Sequence, residues 1–108
     1  MSQVLIAFCT FPDSEIAAKV AKELVERRLV ACGNILSGVH SIYRWQGKVE
    51  SSDEVLGVFK LEESRYSEFE AKIRSMHPYD VPEIIAFPVS NALPAYLDWV
   101  RESCSAER

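Results

Sequence analysis

Apolar positions change period along the chain, and each change marks an element. Val4-Leu5-Ile6-Ala7-Phe8-Cys9 is a continuous apolar run rich in strand formers. It is too short for a buried helix and predicts a central strand. Phe11-Pro12-Asp13 breaks the run, and Asp13 is a good N-cap. Ile16, Val20 and Leu24, with Ala17, Ala21 and Val25, then share one face at helical spacing. Lys19, Lys22, Glu23, Glu26 and Arg27 lie largely off that face, so a first helix is expected over about residues 13–28. Leu29–Trp45 and Lys48–Leu61 read as the two arms of a hairpin. Trp45-Gln46-Gly47-Lys48 is its turn, where Gly47 can take the positive φ of a tight reversal. Gly33, Gly38 and Gly57 interrupt the alternation and predict a bulge or bend.

Ser64 can cap a second helix, on which Tyr66, Phe69, Ile73 and Met76 share a face before Pro78 ends it. Pro82–Phe87 reads as a fourth strand, and Pro82 and Pro88 suit the edge of a sheet. Asn91 can cap a last helix with Pro94 in its first turn and Leu93, Leu97, Val100 and Cys104 facing inward. The tail Ser105–Arg108 is expected to fray. The order is β-α-β-β-α-β-α. It predicts an α+β chain of the ferredoxin-like, split βαβ kind: a four-stranded antiparallel sheet, spatial order 4-1-3-2, with helices on one face.

The hairpin looks too long for its domain. Arms of about 14 residues span roughly 45 Å, whereas a globule of this size is about 35 Å across. The overhanging part carries Ile42, Tyr43, Trp45 and Val49. An apolar ribbon is an aggregation hazard unless another chain covers it. The expectation is a homo-oligomer in which the hairpin augments a neighbour's sheet, with Ile42, Tyr43 and Trp45 at the interface. The alternative is a bent hairpin folding back on its own chain.

Composition narrows the function classes. At 108 residues the chain is one domain, 1–108. Its 48% hydrophobic and 26% charged residues are ordinary globular values. A net charge of -4 argues against nucleic acid as a partner. No apolar run approaches the ~20 residues that cross a membrane. Met1-Ser2-Gln3 is no basic signal-peptide start, so a cytoplasmic protein is expected. Three widely spaced cysteines, Cys9, Cys32 and Cys104, fit reduced thiols rather than a disulfide frame.

The densest polar cluster is His77-Pro78-Tyr79-Asp80-Val81-Pro82-Glu83. In the expected topology the end of the first strand meets the start of the fourth, which brings Cys9, His77 and Glu83 to one end of the sheet. A thiolate, an imidazole and a carboxylate suit copper(II) or another divalent transition metal. Each residue also has a plainer role: Cys9 as a small core residue, His77 at a helix C-terminus, Glu83 in an ion pair. Cys9 and His77 as nucleophile and base lack an orienting group and an oxyanion donor. There is no phosphate-cradling glycine motif. Nor does Cys9-Thr10-Phe11-Pro12 offer the arginine an acyl-phosphate hydrolase needs. Cys32 reads as packing, His40 as surface and Cys104 as core or interface.

Several segments together resemble the CutA divalent-cation tolerance family. They are Cys9-Thr10 with Pro12-Asp13, Leu24–Cys32, Asn34-Ile35, Ser41–Lys48, His77–Ile85 and Tyr96–Trp99. The resemblance implies a PII-like homotrimer with the long hairpins packed between subunits, no enzymatic activity, and a link to copper and other divalent cations. Cys9 and His77 match family positions associated with copper, and Glu83 lies in the same motif. Two positions depart from the pattern. Leu61 follows Lys60 where the family often has Thr, and Met76 stands where some members carry a second His, leaving one ligand fewer. A PII-like module binding a small molecule in clefts between subunits is the alternative reading.

Overall fold

The computed structural model describes residues 3–105, so Met1, Ser2 and the end of the expected frayed tail lie outside it. Strand β1 (Val4–Phe11) runs two residues beyond the predicted Cys9. Ala7, Cys9 and Phe11 have no solvent exposure. Helix α1 (Ser14–Glu26) starts where expected, with the Asp13 carboxylate accepting from the Ile16 N–H at 2.8 Å. It stops earlier than expected because Arg28 turns into the left-handed region, φ 59°, and the Leu29 N–H closes back on the Leu24 carbonyl. That is a helix terminus made without glycine.

Strands β2 (Cys32–Trp45) and β3 (Lys48–Glu62) form the long hairpin. Its turn is Gln46-Gly47, both at positive φ, closing Trp45 against Lys48. The bulge falls between Leu36 and Val39, where Gly38 has φ 83°. Gly33 and Gly57 serve a different purpose from the one expected. A Cβ on either would lie 2.8 Å from the Phe59 ring, so both are glycine to seat that ring. After β3 a single 3-10 turn (Glu63–Arg65) leads into α2 (Tyr66–Met76). Ser64 therefore caps nothing; its hydroxyl donates to Glu62. The extended His77 before Pro78 ends α2.

Strand β4 (Ile84–Pro88) pairs with β1 at the sheet edge. The antiparallel order β2-β3-β1-β4 is the predicted 4-1-3-2 read backwards. Helix α3 (Pro94–Ser103) begins at Leu93, not at a cap from Asn91, and Leu93 is exposed rather than inward. Val100 and Cys104 do reach the core. The expectation of all helices on one face fails at α3. Gly33 faces α1 across the Phe59 ring, so its neighbour Cys32 points to the opposite face. There the Tyr96 hydroxyl of α3 lies 3.6 Å from the Cys32 sulfur.

The main core sits between β1, β3 and the first two helices, and Val100 and Cys104 of α3 belong to the same buried cluster. Phe11, Phe59, Phe69, Leu24, Leu61 and Ile73 are its largest fully buried side chains. The molecule is elongated, 45 × 26 × 22 Å, because the hairpin outruns the rest of the sheet. β1 pairs with β3 only over Val55–Glu62. Beyond that the hairpin is a two-stranded ribbon on which Ile42 and Val49 are 68% and 67% exposed.

Candidate functional site

The end of β1 carries most of the polar chemistry. Strand alternation sorts its side chains: Cys9 and Phe11 enter the helix-covered core, while Thr10 faces the other way. Cys9 is fully buried opposite Gly57 and Ile84. Its thiol points at the Thr10 carbonyl at 3.7 Å. Burial first, then the charges of Glu83 and Glu54, push that thiol up to about 12.

His77 is also held. Its Nε2–H donates to the Thr10 carbonyl at 2.8 Å, and its Nδ1 accepts the Tyr79 N–H at 3.2 Å. The ring stacks on Phe11, centroids 5.0 Å apart, and lies 4.6 Å from the Tyr79 ring. These bonds fix one neutral tautomer and leave neither ring nitrogen with a spare lone pair. Glu83 is exposed and lines the opposite face, beside Thr10. Topology thus gathers Cys9, His77 and Glu83 at one end, as predicted, but alternation sends two of them to different faces. Among the described residues no three His, Cys, Asp or Glu side chains are placed to share one ion. As folded, the three donors do not fit a metal: one is a buried protonated thiol, one has both nitrogens bonded, and one lies across the sheet.

Sequence reasoning missed Glu54. It is only 9% exposed, yet it is a carboxylate, and its Oε2 accepts from the Tyr79 hydroxyl at 2.6 Å. Burial, and next the Glu54 carboxylate, push the Tyr79 phenol strongly upward, so it stays a donor. The signal was Asp53-Glu54 next to Val55-Leu56: of two adjacent acids in a strand, one must face inward. Tyr79→Phe leaves a buried carboxylate without its donor, and we expect it to cost about 1–3 kcal/mol in denaturant unfolding. In a Glu54→Leu background the same change should cost less; a silent Tyr79→Phe would remove the pair from the account.

Around this pair the distal part of hairpin strand β2, residues 41–45, and the 79–83 segment border a cleft of ≈ 600 Å³. Tyr43, Trp45 and Tyr79 supply rings, and Glu54, Asp80 and Glu83 supply carboxylates. The other polar residues predicted from sequence lie away from it. His40 is exposed and pairs with Asp53 at 3.0 Å, and Cys104 is buried at the end of α3.

Comparison with known proteins turns on one match. The sequence profile of the CutA1 divalent ion tolerance protein fits residues 5–103. The chain belongs to the CutA1 divalent-ion tolerance family. It is 43% identical over 98 residues to the divalent-cation tolerance protein CutA of Thermus thermophilus, covering 91% of this chain and 95% of that one. It is 42% identical to protein CutA of Mus musculus, covering 92% of this chain but 56% of the mouse protein. The chain thus spans about half the length of that curated relative. Among solved structures, CutA from Xylella fastidiosa superposes with a TM-score of 0.93 at 38% identity, covering 96% of this chain and 100% of that one. The resemblance read from the CutA motifs is therefore the family. Its relatives' names describe tolerance of divalent cations rather than a catalysed reaction. Among the described residues no helix is long and apolar enough to cross a membrane.

Proposed function

We propose that this chain is a non-enzymatic divalent-cation tolerance protein that works as a cytoplasmic homotrimer and responds to copper(II) or a similar ion. The observation that carries the reading is the family match across residues 5–103. The trimer is supported by the ribbon beyond Val55, whose exposed Ile42, Tyr43 and Trp45 would be covered by a neighbour's sheet. For the ion, Cys9, His77 and Glu83 are the proposed ligands, with a stated condition. His77 would have to release the Tyr79 N–H or the Thr10 carbonyl, and Cys9 would have to lose a proton that burial holds. Glu83 is the one donor already facing solvent.

Light scattering with elemental analysis of the native protein tests both halves. A mass three times 12.2 kDa is expected, with copper near one per chain after loading. A monomer sinks the trimer. Equal copper uptake by wild type, Cys9→Ser and His77→Ala removes those two residues from the ligand set.

The cleft favours a second reading: a PII-like signalling or scaffold module that binds a small molecule at the subunit boundary. Its volume lies within the roughly 300–1,000 Å³ of ligand sites. A thermal-shift screen of nucleotides and metabolites separates it from the metal reading.

A further inference from the structure

The cleft's lining has a sign as well as a size. Glu54, Asp80 and Glu83 contribute carboxylates, and among the described lining residues there is no Lys, Arg or His. Glu54 is the unusual one. Buried carboxylates are normally paired with a cation, but its bond is to a neutral phenol, Tyr79. Among the described residues no ion pair includes Glu54, Asp80 or Glu83. The charge on this wall is therefore uncompensated from within the chain.

The lining is aromatic as well. Tyr43 and Trp45 are two apart on β2 and share a strand face; each is 43% exposed in the single chain, on the ribbon proposed above as the neighbour's contact, so these rings stand at the subunit boundary. Tyr79 closes the third side, tethered by its hydroxyl to Glu54 and by its N–H to His77. Ring faces attract cations that are weakly hydrated, and organic ammonium ions best of all. A bare divalent ion would ask for convergent oxygens at close range and would leave most of ≈ 600 Å³ unfilled. A neutral apolar ligand would leave three carboxylates facing it, and an anion would be repelled.

We propose that this cleft binds a small organic ammonium ion, with Tyr43, Trp45 and Tyr79 around its alkyl groups and Glu54, Asp80 and Glu83 balancing its charge. The proposal rests on the small-molecule reading of the cleft and names the ligand class for it. His77 then acts from behind as a positioning residue, since its ring holds the Tyr79 backbone in place.

The probe is choline, set against its neutral carbon isostere 3,3-dimethylbutanol and against acetate. Binding to the native protein is followed by Trp fluorescence and ligand-observed NMR, in excess EDTA so that divalent ions are excluded. Choline should bind at least tenfold more tightly than the isostere. An Asp80→Asn/Glu83→Gln double variant, changed at exposed positions, should weaken choline about tenfold while leaving the isostere unaffected. Equal binding of choline and the isostere overturns the ammonium proposal but keeps a small-molecule cleft. Choline binding that is unchanged in the double variant overturns it too, because the charge balance would lie elsewhere. No binding of any of these probes, nor of compounds from the thermal-shift screen, overturns both the proposal and the reading beneath it.

Discussion

Phe59→Ala should lower unfolding free energy by about 4 kcal/mol, the middle of the range for a buried aromatic removed from a core. Phe59 has no exposure and sits edge-on to Phe69 at 5.6 Å. Gly33 lies directly across from it on β2 and Gly57 two residues before it on β3, so the ring lies over bare backbone there. Removing it leaves a void that those glycines cannot fill, because they have no side chains to relax inward. The complementary change makes the same point. Gly57→Ala would set a Cβ 2.8 Å from Phe59 and 3.0 Å from Phe11, and overpacking of that kind costs about 1–3 kcal/mol. Denaturant midpoints at one fixed chain concentration would measure both, since any self-association adds to stability. A loss under 1 kcal/mol for Phe59→Ala would mean that the core collapses around the gap.

Alkaline pH should destabilise the fold through Cys9. Its thiol goes from 9.0 to about 12, with burial the chief cause. The folded chain keeps a proton that the unfolded chain gives up. Stability from this group is therefore complete below pH 9 and drains away as pH rises from 9 towards 12. The slope is up to about 1.4 kcal/mol per pH unit for one proton. Tyr79, Tyr66 and Cys104 are pushed the same way, mainly by burial, so the decisive quantity is a difference. Cys9→Ala should unfold with a visibly shallower pH dependence than wild type over that window. Identical slopes would show that the thiol is already open to solvent. A solvent-open thiol would also make it a far readier metal ligand than its buried position allows.

What could be read from the chain divides along a physical line. Asp13, the Gln46-Gly47 turn and Pro78 act over a few residues, and each does what its chemistry dictates. The strand order followed from element order and the short apolar β1. Ser64 and Asn91 failed as caps because cap propensity is weak against competing partners. Ser64 spends its hydroxyl on Glu62, and Pro94 fixes the start of α3 by its ring. At the site, topology placed Cys9, His77 and Glu83 at one end, but their directions depend on phase within each strand. That phase is set by where β1 continues and where the bulge falls. The Glu54–Tyr79 bond, spanning 25 positions, joins residues with no local pattern in common. The glycines misled for a similar reason: Gly33 and Gly57 look like strand breakers until the ring they seat is in view.

The central position of β1 has a consequence during synthesis. The apolar strand β1 leaves the ribosome ahead of both its partners, residues 55–62 and 84–88. At roughly 5–20 residues per second, the second partner follows seconds later. Until residues 55–62 emerge, Val4–Phe11 has bare edges on both sides and only α1 at hand to shield its face, and the edge that β4 covers stays bare longer still. Closing such long loops also slows the search for native pairing. The nascent chain therefore passes through an interval in which this apolar strand depends on a chaperone, or on speed, to reach the fold.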